Sequence, residues 1–190
     1  MNRRVFIAAG TALALGSLPL GAAAQTSGKL YRIGILETLP AERNRANLDA
    51  LLRGLRERGY VEGQNLQIEY RSADGLTDRF PGLAAELVHL PADVIVTRGT
   101  PAAQAAKTAT ETIPIVMAAI GEPLGVGVVA QLGRPGSNVT GFSAYARELA
   151  AKRMELMKEA SPALVRYRFL ANMRNPAAPP AWEAMKAAGI

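Results

Sequence analysis

The sequence predicts an α/β fold built on a doubly wound parallel sheet. Three observations carry that reading. Short β-rich runs alternate along the chain with segments whose apolar residues recur at helical spacing. Two of the runs, Asp93–Thr97 and Ile113–Ile120, are almost continuously apolar, as strands buried on both faces are. A chain of 190 residues that is 49% apolar and 20% charged can also bury a sizeable core. Strands joined through helices imply right-handed crossovers.

The first strand is Tyr-Arg-Ile-Gly-Ile-Leu from Tyr31, with Ile33 and Ile35 on one face. Leu48, Leu51, Leu52 and Leu55 then repeat with the period of a helix, and Gly59 supplies its stop. Asn65–Ser72 reads as a second strand, since Leu66, Ile68 and Tyr70 alternate, and Asp74-Gly75 turns the chain. Phe80, Leu83, Ala84, Leu87 and Val88 mark a second helix, with Thr77 or Asp78 as cap and Pro81 in its first turn. Asp93–Thr97 is the third strand, and Gly99-Thr100-Pro101 opens an alanine-rich helix. Ile113–Ile120 is the fourth strand, Gly127–Leu132 a short helix candidate, and Asn138–Phe142 the fifth strand. A longer helix ending at Ser161-Pro162 follows, with Ala146, Leu149, Ala150, Leu156, Met157 and Ala160 on one face. Val165–Ala171 and a helix to Ala188 begin a second α/β unit.

The N-terminus reads as an export signal. Arg3 and Arg4 precede an apolar stretch from Val5 to Leu20, and Ala22-Ala23-Ala24 offers small residues for cleavage after Ala24. Gly10, Gly16 and Pro19 interrupt the stretch, which suits a cleaved signal better than a permanent span. Asn2-Arg3-Arg4-Val5-Phe6-Ile7 matches the twin-arginine pattern, yet two arginines also serve the general secretory route, so both routes stay open. Either one implies a periplasmic mature protein with no stable membrane span after signal removal.

Composition removes several chemistries. There is no cysteine and one histidine, His89, so thiol catalysis, disulfides and His-rich metal clusters are not expected. The formal charge of +6 falls to +4 without Arg3 and Arg4, and no run of like charges provides a stripe for nucleic acid.

Several motifs in order then point to one family. Tyr60-Val61-Glu62-Gly63-Gln64-Asn65-Leu66 through Arg71, Leu83-Ala84-Ala85-Glu86-Leu87-Val88, Asp93-Val94-Ile95-Val96 and Gly99-Thr100-Pro101-Ala102 form the first set. Ile113-Pro114-Ile115-Val116, Arg134-Pro135-Gly136-Ser137-Asn138-Val139-Thr140-Gly141 and Lys152-Arg153-Met154-Glu155-Leu156 form the second. Together they resemble the ABC-transporter substrate-binding proteins of the periplasmic-binding type, the group that includes tryptophan-binding members. The resemblance implies two Rossmann-like lobes of a type I-like bilobal fold, joined by a hinge, that hold a small ligand for a membrane permease. It divides the chain into a signal peptide (1–24), a first lobe (25–144), a crossing helix (145–162) and an incomplete second lobe (163–190). Members of roughly 300 residues carry a complete second lobe, so the short chain by itself is expected to bind weakly or not at all. Two departures stand out: Gly121-Glu122-Pro123 replaces the usual Gly-Asp-Pro, and Met173-Arg174-Asn175-Pro176 replaces a tighter Asn-Pro loop.

In an open α/β sheet the crevice lies beyond the carboxyl ends of the strands. Gly99 allows close backbone approach, Thr100 can cap the following helix, and Pro101 suits its first turn. Free amides and the helix dipole there favour a carboxylate. The same three residues would also make an ordinary capped turn. Glu37 and Thr38 can bind a polar ligand or simply end a strand in solvent. Glu122, pinned by Gly121 and Pro123, can supply charge at the cleft or sit on the surface, and Ser143 and Tyr145 fit a hinge or wall. The expected ligand is an amino acid or related carboxylate, with no cofactor, metal or catalytic residue.

Two rivals belong to other classes. Gly125-Val126-Gly127-Val128-Val129-Ala130 spells the glycine fingerprint of a dinucleotide enzyme, but it follows the fourth strand and Gly121-Glu122-Pro123-Leu124 intervenes. A hydrolase elbow Gly-x-Ser-x-Gly is absent. The ligand-sensing domain of a receptor or regulator shares the bilobal fold, and the N-terminal signal argues against a cytoplasmic regulator.

Overall fold

The structure is a computed structural model that describes residues 28–144, 148–163 and 165–188. The signal segment and Tyr145 therefore lie outside the described residues. Five strands, β1 (Tyr31–Glu37), β2 (Leu66–Ser72), β3 (Val94–Arg98), β4 (Ile115–Ile120) and β5 (Val139–Ser143), form one sheet in the order β2-β1-β3-β4-β5. Every neighbouring pair is parallel. The chain passes from β1 out to β2 and returns across β1 to β3, which makes the β1/β3 boundary the point where the winding reverses. Crevices open at such points.

Helices cover the sheet because each strand presents side chains alternately to its two faces. Ile33 and Ile35 face α1 (Arg45–Arg56), whose Leu48, Leu51, Leu52 and Leu55 close over Ile68, Val94 and Val96. Leu36, Ile95, Ile115 and Met117 face the other way, onto α2 (Phe80–His89) and α3 (Thr100–Ala109). Phe80 and Leu87 are essentially sealed, and each such side chain contributes about 1.5–3 kcal/mol by leaving water. Ala102, Ala103 and Ala106 are completely buried. Their small size lets α3 lie close on the sheet and on α2.

The β4–β5 pairing is unusually tight at Gly141, whose φ is +137°. A β-carbon there would come within 2.2 Å of the Met117 carbonyl oxygen. Only glycine accepts both that torsion and that approach. The β3–β4 and β4–β5 ladders also slip register near their carboxyl ends, after Thr97 and after Met117. Bulges of this kind re-aim side chains at a sheet's rim.

The helical segment after β5, α4 (Glu148–Ala160), packs on α5 (Ala178–Ala187). Four expectations need correction. Neither Thr77 nor Asp78 caps α2; Thr77–Arg79 is a 3-10 turn running straight into it. Gly127–Leu132 forms turns rather than a helix, because Val128 and Val129 are drawn into the core and both their amides go to the Pro123 carbonyl. On α4 the buried residues are Ala150 and Met154, while Leu149, Leu156 and Met157 are 43–50% exposed. Val165–Ala171 is not a strand: among the described residues no strand lies beside it to complete a ladder, and Leu170 is fully exposed.

Candidate functional site

The carboxyl edge of the sheet collects most of the polar residues singled out in the sequence. Gly99 is the N-cap of α3 with φ +93°, and its N–H donates to the Ala119 carbonyl at 2.8 Å. A β-carbon at Gly99 would stand 3.5 Å from Thr38 Oγ1, so the loops after β1 and β3 meet here. Thr100 does not cap its own helix, contrary to expectation. Thr100 is 1% exposed, and its hydroxyl accepts the Gly121 N–H at 3.3 Å, tying the end of β4 to the start of α3. Pro101 occupies the first turn as expected.

Gly99, Thr100 and Gly121 form one side of a cavity of about 480 Å³. Its other side comes from α4 and the segment entering α5: Arg153, Asn172 and Asn175 are polar, Met157 and Phe169 apolar. The size lies within the roughly 300–1,000 Å³ typical of small-molecule sites, as does the mixture of apolar walls with a few polar groups. Asn172, Asn175, Arg153 and Phe169 were not among the site residues named from the sequence. The Asn175-Pro176 turn marked the place without saying what it would face.

A second constellation sits at the winding reversal. Glu37 closes β1 and is 2% exposed. Its Oε1 accepts the Thr38 N–H at 2.8 Å; its Oε2 accepts from Asn44 Nδ2 at 3.0 Å and from Arg98 Nη1 at 3.2 Å. Asn44, in the turn before α1, also accepts from Arg98 Nη1 at 3.1 Å and donates to the Tyr70 hydroxyl, which in turn donates to the Leu39 carbonyl. Burial raises the Tyr70 hydroxyl above its ordinary value. Arg98, Asn44 and Asn47 border a smaller pocket of about 90 Å³ with an apolar floor of Leu48, Leu51 and Val96. Arg98 escaped the sequence reading. An arginine closing an otherwise apolar strand, directly before the glycine of a strand-to-helix turn, was the available signal.

The remaining candidates fall elsewhere. Glu122 turns inward at 4% exposure, with Oε1 accepting the Gly125 N–H at 3.0 Å and Oε2 buried without a partner among the described residues. Ser143 ends β5 beside Ile120. The Gly125–Ala130 run follows β4 but opens no helix, so the geometry of a dinucleotide loop is missing. His89 is exposed at the end of α2.

A family model described as ABC transporter substrate binding protein matches residues 32–188. The chain belongs to that family. It is 36% identical over 111 residues to a tyrosine-binding protein of Clostridioides difficile, a match that takes in 58% of this chain and 32% of that protein. Among solved structures, a conserved domain protein from Vibrio cholerae superposes with a TM-score of 0.77 at 34% identity, covering 84% of this chain and 53% of the other. The ABC domain from Streptococcus pneumonia in complex with L-Trp gives 0.73 at 30% identity, covering 83% and 52%. This binding-protein chain thus spans about half the length of the solved relatives. The matched region contains both sides of the larger cavity, and the parallel α/β sheet expected from the sequence is the fold it shares with them.

Proposed function

We propose that this chain belongs to the extracytoplasmic solute-binding component of an ABC importer, which takes up an amino acid or related carboxylate between two lobes and delivers it to a permease. The observation that carries the reading is the cavity of about 480 Å³ at the carboxyl ends of β3 and β4, walled on one side by the first sheet and on the other by α4 and the approach to α5. A ligand there touches two segments at once, and contacts made to both sides favour the closed arrangement over the open one. The relatives that bind tyrosine and L-Trp support an amino acid as the solute.

In this reading Gly99, Thr100 and Pro101 present the start of α3 to the ligand, with Thr38 beside them. Of the trio's backbone amides, Thr100 N–H is the one left for it, since Gly99 N–H donates to the Ala119 carbonyl and Pro101 has none. Glu37 works from beneath the surface, Glu122 shapes the loop after β4, and Ser143 and Tyr145 are assigned the role of hinge or wall. Arg3 and Arg4 direct export by the twin-arginine or the secretory route, with cleavage after Ala24. Among the described residues no helix is long and apolar enough to cross a membrane. The reading assigns no catalytic group and no cofactor.

The test is a titration of the ¹⁵N-labelled chain with L-tryptophan and L-tyrosine at millimolar concentration. Saturable movement of the Gly99, Thr100 and Gly121 amide resonances is expected. Amides that stay still with both amino acids, and with leucine, would remove the crevice as a binding site.

A further inference from the structure

We infer that Arg98 is an anion-anchoring residue of the first lobe, held ready by Glu37 and Asn44 to take a carboxylate group at the winding reversal. The inference rests on the binding-protein reading and adds to it a residue and a recognised group.

Arg98 ends β3 next to Glu37, at the boundary where β1 and β3 lie side by side and the direction of winding changes. One of its terminal nitrogens is fully committed: Nη1 donates to the buried Glu37 carboxylate and to Asn44 Oδ1. Its Nε and Nη2 have no acceptor among the described residues, and the side chain is 40% exposed. A guanidinium presents its donors in a planar fork. Fixing Nη1 therefore leaves an Nε/Nη2 edge whose geometry matches the two oxygens of a carboxylate.

The surroundings distinguish this from an ordinary surface ion pair. The partner carboxylate is 2% exposed and also receives the Thr38 amide and the Asn44 side chain, so it cannot swing out to follow Arg98 into solvent. Asn44 is itself held by Asn47 and Tyr70. The rotamer freedom that usually weakens an arginine contact is thus partly removed before any ligand arrives. Arg98 also precedes Gly99, the N-cap of α3, where the helix dipole adds positive potential. The adjoining pocket of about 90 Å³, with Leu48, Leu51 and Val96 at its floor, has room for a small group and little more.

The experiment follows the Arg98 Nε–Hε resonance of the ¹⁵N-labelled full chain, assigned by its disappearance in Arg98→Lys. Sodium benzoate is titrated against benzamide, its uncharged isostere, and against sodium chloride at matched ionic strength. Benzoate should move the resonance saturably, and benzamide and chloride should not. Arg98→Lys, which keeps the charge and loses the fork, should weaken benzoate binding by about tenfold. A resonance unmoved by benzoate, or moved equally by chloride or benzamide, overturns the inference. The same spectra separate it from the broader proposal: Gly99 and Thr100 amides that respond to L-tryptophan while Arg98 stays silent would retain the crevice and eliminate the anchor.

Discussion

Arg98 Nη1 donates to the Glu37 carboxylate at 3.2 Å across the junction of β1 and β3, linking the ends of two strands that are far apart in sequence. Glu37 is almost completely buried while Arg98 reaches solvent. The buried acid accordingly depends on its donors, and the exposed base does not depend equally on the acid. Both Glu37 oxygens act as acceptors. In Glu37→Gln, whichever position becomes NH₂ must face a donor. Loss of about 1–2 kcal/mol is expected, moderated by solvent around Arg98. Urea denaturation of Glu37→Gln, Arg98→Met and the double variant should show that the double costs less than the sum; strict additivity would mean that the pair is uncoupled.

Gly141→Ala should be among the most damaging single changes in the sheet. The added carbon meets the Met117 backbone at 2.2–2.8 Å and the residue keeps φ +137°, so both overlap and torsional strain oppose it. A loss above about 3 kcal/mol is predicted. A melting temperature close to that of the parent would show that β4 and β5 can separate at little cost.

Thr100→Val preserves shape but removes the acceptor of the Gly121 N–H. The predicted cost is about 1–2 kcal/mol, with faster hydrogen exchange at the Gly121 amide as its local sign. Exchange unchanged at Gly121 would place the link between β4 and α3 elsewhere.

Acid should loosen the opposite end of the sheet. The Lys29 ammonium at 2.6 Å and the Arg32 N–H at 2.8 Å hold the Asp93 carboxyl below its ordinary value of 3.8. A carboxyl depressed in the folded state stabilises the fold above its unfolded value, and that contribution disappears as pH falls through the native one. Stability measured from neutral pH down into the acid range should therefore decline less steeply in Asp93→Asn than in the parent. Parallel curves would show that this carboxylate is not linked to folding.

Much of the architecture was readable because it is written in short-range patterns. Alternation at Leu66, Ile68 and Tyr70, and the leucines of α1, report directly which face each element buries. Gly99 and Pro101 likewise mark where β3 turns into α3, since backbone torsion and a missing N–H are properties of single residues. The patterns misled where a local preference competed with distant partners. Val128 and Val129 were drawn into the core instead of a helix, and Val165–Ala171 has β-rich composition without a neighbouring strand among the described residues.

Sequence alone determined that this chain alternates strands and helices, that its sheet is parallel, and which family it resembles, because hydrophobic period and turn chemistry act within a few residues. Tertiary structure decided what those elements bring together. Strand order sets β1 beside β3 and thereby joins Glu37 to Arg98, residues 61 positions apart. Packing turned Glu122 inward and made Thr100 a tie to Gly121 rather than a helix cap. Such pairings depend on which surfaces meet once the sheet is wound, and no local pattern encodes them.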